Sequence, residues 1–403
     1  MIQAVRKTIH DIPQTDDRPT ICHVIHALGV GGAEVLVNNM VRCLSDEFRC
    51  IVAVLDEIGQ IGDQLIRDGI IVEHLHRQPG IDRGCARRLK AFADKHGAAI
   101  LHAHQYTPFF QSVLSRGLTG TRPVVFTEHG RHFPDIPSRK RSLVNRLLLR
   151  KHDRLFGVGE ATRQALIDNE GLPASRVETI YNGVDLEAMR ILDPGARSAV
   201  RKEFGIGKDD FLIVQIARLH ELKDHQTALK VMDVVRRRQP TAKLLIVGDG
   251  EQRAAIECSV AALGLESNVI LAGTRSDIGR LLCASDAFLL TSISEGIPLT
   301  VIEAMAAERP VVSTSVGGIA EMVEHGRSGF LAPAGDFEGL ASHLLNLASG
   351  SDLRQSTGRA GSQIATRKFS QNAMMNSYRQ VYRELISIRK PQINRAVDNG
   401  VNT

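Results

Sequence analysis

Residues 291–306 read TSISEGIPLTVIEAMA, and they follow directly on the apolar run AFLLTS at 287–292. A carboxylate at the mouth of an apolar segment is costly unless something binds it. Read as a strand followed by a helix, the segment places Glu295 in the turn at the strand's carboxyl end, where open α/β sheets bind ligands. Pro298 suits the first turn of the helix because it has no N–H to leave unpaired. Gly296, Ile297 and Leu299 then offer backbone N–H groups at a helix N-terminus, a favourable place for a phosphate. Glu303 lies more than a turn further on, able to face the same cleft, and an acceptor-only carboxylate suits the paired hydroxyls of a ribose. Together these groups divide the recognition of a sugar nucleotide: Glu295 for the sugar, Glu303 for the ribose, and amides for the diphosphate between them.

The same strand-then-helix grammar runs through the chain. Apolar runs at 21–28, 50–55, 69–75, 98–104, 123–129, 154–159 and 178–183 read as strands of a first set, and those at 211–217, 243–249, 268–273, 287–292 and 310–315 as a second. Continuous β-branched runs, with helical patterns between them, indicate parallel strands buried on both faces. At 403 residues the chain is too long for one ordinary core. Two doubly wound α/β domains follow, meeting near the turn at Pro194–Gly195, and the segment ending NAMMNSYRQVYRELISI reads as a long amphipathic helix.

Composition excludes several function classes. Aromatic residues make up 4% of the chain and tryptophan is absent, which disfavours a stacking surface for nucleic acid. Six scattered cysteines show neither a CxxC pair nor metal-ligand spacing, as expected of reduced thiols. The first residues lack the apolar core of a signal peptide, and no apolar run approaches the ~18 residues of a spanning helix. A cytoplasmic protein, or one peripheral on the inner face of a membrane, is therefore expected.

Other candidates cluster at strand ends. Arg218 and Lys223 in ARLHELKDH follow the strand at 211–217, and fixed cations there would stabilise the charge of a departing diphosphate without a metal. GVGGAE at 29–34 puts Gly31 and Gly32 between a strand and a helix, where backbone amides approach a phosphate closely. On its own this loop also suggests an NAD-binding Rossmann domain, although G-x-G-x-x-G is not met. His129 in TEHG ends another strand and can donate to a sugar hydroxyl. His102 and His104 share one face of a strand, but no third metal ligand is evident, and packing is the better account of both. Gly248 and Gly250 in GDGEQR are expected to line the cleft. The stretch 131–154 holds eight Lys/Arg against two Asp, with leucines at helical spacing. It reads either as a solvated helix on the first domain or as a basic face for anionic lipid.

SEGIPLTVIEAMA resembles the E-x7-E signature of the retaining glycosyltransferases of family 4, which have the GT-B fold. GVGGAE is similar to the family's first-domain glycine loop, YNGVD at 181–185 to its interdomain segment, ARLHELKDH to its R-L-x-x-x-K phosphate-binding motif, and VGGIAEMV at 316–323 to its G-G-x-P-E segment. Asp224 stands where the family usually has glycine after the lysine. The resemblance implies two Rossmann-like domains facing a cleft. Residues 1–190 would bind the acceptor, with 1–19 a flexible leader, and 191–370 would bind the donor. A helix at 371–390 would cross back to the first domain, and 391–403 would form a flexible tail. It further implies Arg218 and Lys223 on the diphosphate, Glu295 on the sugar, Glu303 on the ribose, and Gly31, Gly32 and His129 reaching the donor across the cleft. Thr274 and Arg275 would lie near the base, with Gly248 beside them. No metal or other cofactor is expected. The implied reaction moves a glycosyl unit from a nucleotide-diphosphate sugar to a sugar, glycan or lipid-linked acceptor hydroxyl. Configuration would be kept by front-face attack without a covalent nucleophile, and family frequency weighs a UDP-sugar ahead of GDP-mannose. The alternatives are a GT-B nucleotide-sugar epimerase and, further off, an NAD-dependent oxidoreductase.

Overall fold

The computed structural model describes residues 16–389 except 118, 131–136, 138 and 191–194. Most of the expected leader, the tail, Pro194 and the start of the basic stretch thus lie outside the described residues. Seven strands make the first sheet: β1 (Thr20–Ala27), β2 (Arg49–Glu57), β3 (Val72–His74), β4 (Ala98–His104), β5 (Val124–Glu128), β6 (Arg154–Gly157) and β7 (Val177–Thr179). Six make the second: β8 (Leu212–Ile216), β9 (Lys243–Val247), β10 (Val269–Gly273), β11 (Ala287–Leu290), β12 (Val311–Thr314) and β13 (Gly329–Ala332). Every pairing between these strands is parallel. All twelve anticipated strands are present. The thirteenth, β13, escapes a hydrophobic reading because GFLA is four residues long and opens on glycine.

Strand orders are 3-2-1-4-5-6-7 and 10-9-8-11-12-13. In each sheet the chain builds outward from one strand and then crosses to its other side, which leaves a crevice at β1/β4 in the first and at β8/β11 in the second. Helices cover both faces. The helix His225–Arg238, for example, buries Ala228, Leu229, Val231, Met232 and Val235 against the second sheet and turns its arginines outward.

One apolar cluster joins the two sheets, running from Ile21 and Val52 through Tyr378, Phe369 and Ile297 to Phe288 and Val311. The helix Gln371–Arg389 returns to the first sheet. Its Tyr382 hydroxyl meets His102 Nδ1 at 2.6 Å, its Tyr378 hydroxyl meets Thr127 Oγ1 at 3.0 Å, and Arg383 pairs with Glu47 at 2.6 Å. The short helix Leu186–Met189 packs against helices 278–284 and 299–306, so the chain is already in contact with the second sheet's layer there. No helix among the described residues is long and apolar enough to cross a membrane.

Candidate functional site

The second-sheet crevice gathers the charged candidates. Beyond β8 the chain makes a 3-10 turn over Glu221–Lys223 and enters the helix His225–Arg238 through Asp224. Asp224 has φ 43° and ψ 57°, the left-handed region that glycine occupies most easily. An aspartate is tolerated there because its side chain caps the helix, accepting from Thr227 N at 3.1 Å and from Thr227 Oγ1 at 2.6 Å. This accounts for the departure from glycine and leaves Lys223 in place. Lys223 Nζ meets Glu295 Oε1 at 2.6 Å, and Ser292 Oγ donates to the same oxygen at 2.6 Å. The Glu295 side chain is 7% exposed. The loops after β8 and β11 are also tied by backbone: Ile293 N donates to Leu222 O at 2.9 Å, and the Thr291 hydroxyl lies 2.8 Å from Asp224 O.

Arg218 is the open cation of this site. Its side chain is 61% exposed and holds Glu251 only loosely, at 3.4 Å. Gly248 and Gly250, both partly exposed, support it from below. At Gly248 φ is 143°, and a Cβ would strike Ala217 O, while one on Gly250 would press on Leu219 O. The loop after β9 therefore packs backbone to backbone beneath Arg218.

Pro298 caps the helix Leu299–Ala306 from outside, one place before the first helical residue rather than within its first turn. Ile297 is buried and forms part of the apolar cluster between the sheets, so only its backbone can serve a phosphate. Gly296 and Leu299 are buried beside it. Glu303 is half-buried, and among the described residues its carboxylate has no hydrogen-bonding or charged partner. Burial alone pushes its pKa up to about 7. Thr274 is exposed at the end of β10. Arg275 beside it is committed elsewhere, with bonds of 2.8 and 2.9 Å to Asp277 and 2.7 Å to Glu203, and its guanidinium lies over the Phe204 ring. These partners fix the Arg275 side chain, and the place near the base that the resemblance implies concerns the backbone of Thr274 and Arg275.

The first sheet supplies the opposing wall. Gly31 and Gly32 open the helix Gly32–Cys43, and Glu34 folds its carboxylate back over Gly31. Burial raises the Glu34 pKa, while the positive charge of Arg218 across the cleft opposes the rise. Glu34 thus faces the second domain. His129 follows β5, and Gly130 beside it comes so close to Gly296 that a Cβ on Gly296 would strike His129 O. Its Nε2 meets His104 Nδ1 at 3.0 Å, and burial lowers its pKa to about 4. The third imidazole missing from the sequence reading is His23 on β1. Nitrogens of His23, His102 and His104 lie within 4.8 Å of one another. Hydrogen bonds already occupy five of their six nitrogens: both of His102 meet hydroxyls (Tyr382 and Thr127), both of His104 meet imidazoles (His23 and His129), and His23 Nδ1 pairs with His104 at 3.1 Å.

Polar straps across the cleft complete the picture. Glu321, inside the quoted VGGIAEMV, accepts from the N–H groups of Glu160 and Ala161 at 2.8 and 2.7 Å and from the Tyr181 hydroxyl at 3.0 Å. Asn182 donates to Ile297 O at 2.9 Å. Tyr181, Asn182 and Glu321 all lie in segments singled out from the sequence, yet their interdomain partners are remote in the chain and could not be read from spacing.

Two family models match consecutive halves of the chain: Glycosyltransferase Family 4 over residues 30–188, and Glycosyl transferases group 1 over residues 196–364. The chain belongs to the family 4 glycosyltransferases. This glycosyltransferase is 28% identical over 318 residues to the N-acetyl-alpha-D-glucosaminyl L-malate synthase of Bacillus anthracis, spanning 76% of this chain and 80% of that protein. It is 26% identical over 262 residues to the Escherichia coli UDP-Gal:alpha-D-GlcNAc-diphosphoundecaprenol alpha-1,3-galactosyltransferase, spanning 62% and 66%. Among solved structures, Anabaena Alr3699/HepE in complex with UDP-glucose superposes with a TM-score of 0.79 at 24% identity, covering 91% of this chain and 99% of that one. The enzyme has the GT-B fold and acts on nucleotide sugars in glycan biosynthesis, and these relatives give the epimerase and oxidoreductase readings no support.

Glu303 gives this site a pH signature. Its carboxyl group is raised from the usual 4.5 to about 7 in the folded enzyme. The folded state therefore keeps a proton that the unfolded chain releases, and this stability is present at low pH and lost as pH rises through about 7. Glu303→Gln is expected to match the wild type in urea unfolding at about pH 4 and to exceed it by up to about 3 kcal/mol at about pH 8. A constant difference across that range would contradict the burial argument.

Proposed function

We propose that the second domain holds a nucleotide-diphosphate sugar with the uridine nucleotide preferred, and that the enzyme transfers the sugar with retention of configuration. The observation that carries this reading is the pairing, on one crevice, of a part-buried Lys223–Glu295 contact with a Glu303 that is unpartnered among the described residues. An unpartnered, half-buried carboxylate is costly in the empty site and becomes favourable when ribose hydroxyls donate to it. Lys223, held by Glu295, and Arg218, held only loosely, supply positive charge for the diphosphate as the glycosidic bond breaks, so that no metal is needed. Glu295 keeps its second oxygen for a sugar hydroxyl while the first anchors Lys223 and Ser292. His129 and the Gly31–Gly32 amides approach from the first domain. No carboxylate is placed as a covalent nucleophile in this scheme, and the departing phosphate assists deprotonation of the acceptor on the same face. Two relatives, one solved with UDP-glucose and one named a UDP-Gal transferase, support uridine over guanosine.

Calorimetry with UDP, GDP, ADP and NAD tests the donor. UDP is expected to bind best, and Glu303→Ala to weaken it by about 10- to 100-fold, as loss of hydrogen bonds to a charged group requires. Preference for NAD, or UDP binding indifferent to Glu303, would refute the assignment.

For the acceptor, we propose a lipid-linked or glycan hydroxyl approached at a membrane surface. The helix Arg139–Leu148 presents Leu143 at 61% and Leu147 at 76% exposure, one turn apart, with the exposed Arg146 between them. Apolar side chains flanked by cations suit an anionic interface, where each well-placed cation adds about 1 kcal/mol. In liposome sedimentation the enzyme should pellet with vesicles containing phosphatidylglycerol and not with neutral ones, and Leu143→Glu with Leu147→Glu should release it. Equal behaviour on both vesicles would end the membrane reading and leave the donor site untouched.

A further inference from the structure

Beneath His129 lies a line of imidazoles that the transfer scheme leaves unexplained. His129 Nε2 meets His104 Nδ1 at 3.0 Å, and His104 Nε2 meets His23 Nδ1 at 3.1 Å. The two outer nitrogens of this line, His23 Nε2 and His129 Nδ1, are buried and have no hydrogen-bond partner among the described residues. The three rings come from β1, β4 and the end of β5, three neighbouring strands of the first sheet. Neighbouring parallel strands place these rings in line without any loop to adjust them. His23 and His104 stack at 5.4 Å between centroids, and His104 and His129 at 5.2 Å.

Each neutral imidazole has one N–H and one lone pair. Burial keeps the line neutral: it lowers the His23 pKa to about 3 and the His129 pKa to about 4, and drives that of His104 well below the ordinary value. Three rings then hold three N–H groups, and the two internal contacts use two of them. Every contact needs one donor and one acceptor, so the protons must all sit on Nδ1 or all on Nε2. Any mixture would set two lone pairs or two hydrogens against each other. The tautomers of the three rings are therefore linked, and the third N–H must emerge at one end.

We propose that His23 and His104 are positioning residues that lock His129 as the Nδ1–H tautomer, so that it presents a hydrogen-bond donor to the sugar nucleotide. The opposite arrangement would put the N–H on His23 Nε2, whose ring is fully buried in the sheet and has no acceptor there among the described residues. Buried orphan donors are rarer in proteins than under-used acceptors. The chosen arrangement leaves a bare lone pair at His23 and sends the N–H to His129, the one ring of the three that is partly exposed and whose own backbone lies against Gly296. His102 does not compete: its two nitrogens meet the hydroxyls of Tyr382 and Thr127, which rotate to suit either tautomer.

The inference rests on the placing of His129 at the donor, and the two can be separated. Long-range 1H–15N correlation on enzyme labelled with 15N-histidine reports the tautomer of each ring, with assignments from single substitutions. His23, His104 and His129 are all expected as Nδ1–H. His23→Leu should remove the lock and move His104 and His129 toward mixed tautomers, whereas His23→Asn, whose amide can still donate to His104, should preserve them. His129 found as Nε2–H in the wild type, or His104 and His129 unchanged in His23→Leu, would overturn the chain. Full transfer activity in His129→Phe, with the wild-type tautomer pattern intact, would instead overturn the placing of His129 on the donor.

Discussion

Lys223 and Glu295 lie 2.6 Å apart because β8 and β11, on which their loops depend, are neighbours in the sheet although about seventy residues separate them. At that point the sheet reverses its order of growth, and the two loops leave in a way that opens a crevice. Everything else in the donor side is arranged around keeping those loops together. The Thr291 hydroxyl and the Ile293 amide hold the turn that carries Lys223, and Asp224 closes that turn while starting the next helix. Beneath Arg218, the glycines after β9 let a second loop pack against the first. A buried lysine or glutamate alone would be unfavourable, and removing either leaves the other as an uncompensated charge. Joined, they form a fixed dipole with one carboxylate oxygen still available.

The two domains meet at the same place. At Gly317 φ is 52°, and a Cβ there would collide with Glu295 O. Gly318 N bonds to Gly296 O at 3.1 Å, and Gly296 in turn touches the backbone of His129 and Gly130 from the other sheet. Three segments of backbone thus stack without side chains between them, which brings the first domain's His129 to the Glu295–Gly296 loop of the second. Asn182 and Glu321 fasten the periphery of this junction through bonds to backbone groups. Bonds of that kind depend on the placing of main chain, so any opening of the cleft must break several of them together.

Much of this was legible in the sequence because it is local. Strand–helix alternation gives the sheets, and residues at strand ends give Arg218, Lys223, Glu295 and His129. Glu303 was legible through its spacing from Glu295, on the helix that follows the Glu295 loop. What spacing cannot reveal is which strand ends become neighbours. For that reason the backbone packing of Gly248 and Gly250 beneath Arg218, and the bond of Arg275 to Glu203, more than seventy residues earlier, could not be read from the sequence. For the same reason His102 and His104 seemed to lack a third imidazole: His23 reaches them only once β1 lies beside β4. Asp224 shows the reverse case, since its departure from glycine becomes intelligible only with its backbone angles and its cap in view.

A crystal structure of the enzyme with UDP bound tests the central claim most directly. The account predicts the ribose hydroxyls within hydrogen-bond distance of the Glu303 carboxylate, and the diphosphate beside Lys223, Arg218 and the backbone of Gly296–Leu299. A nucleotide found on the Gly29–Gly32 loop, with Glu303 still unpartnered, would contradict it.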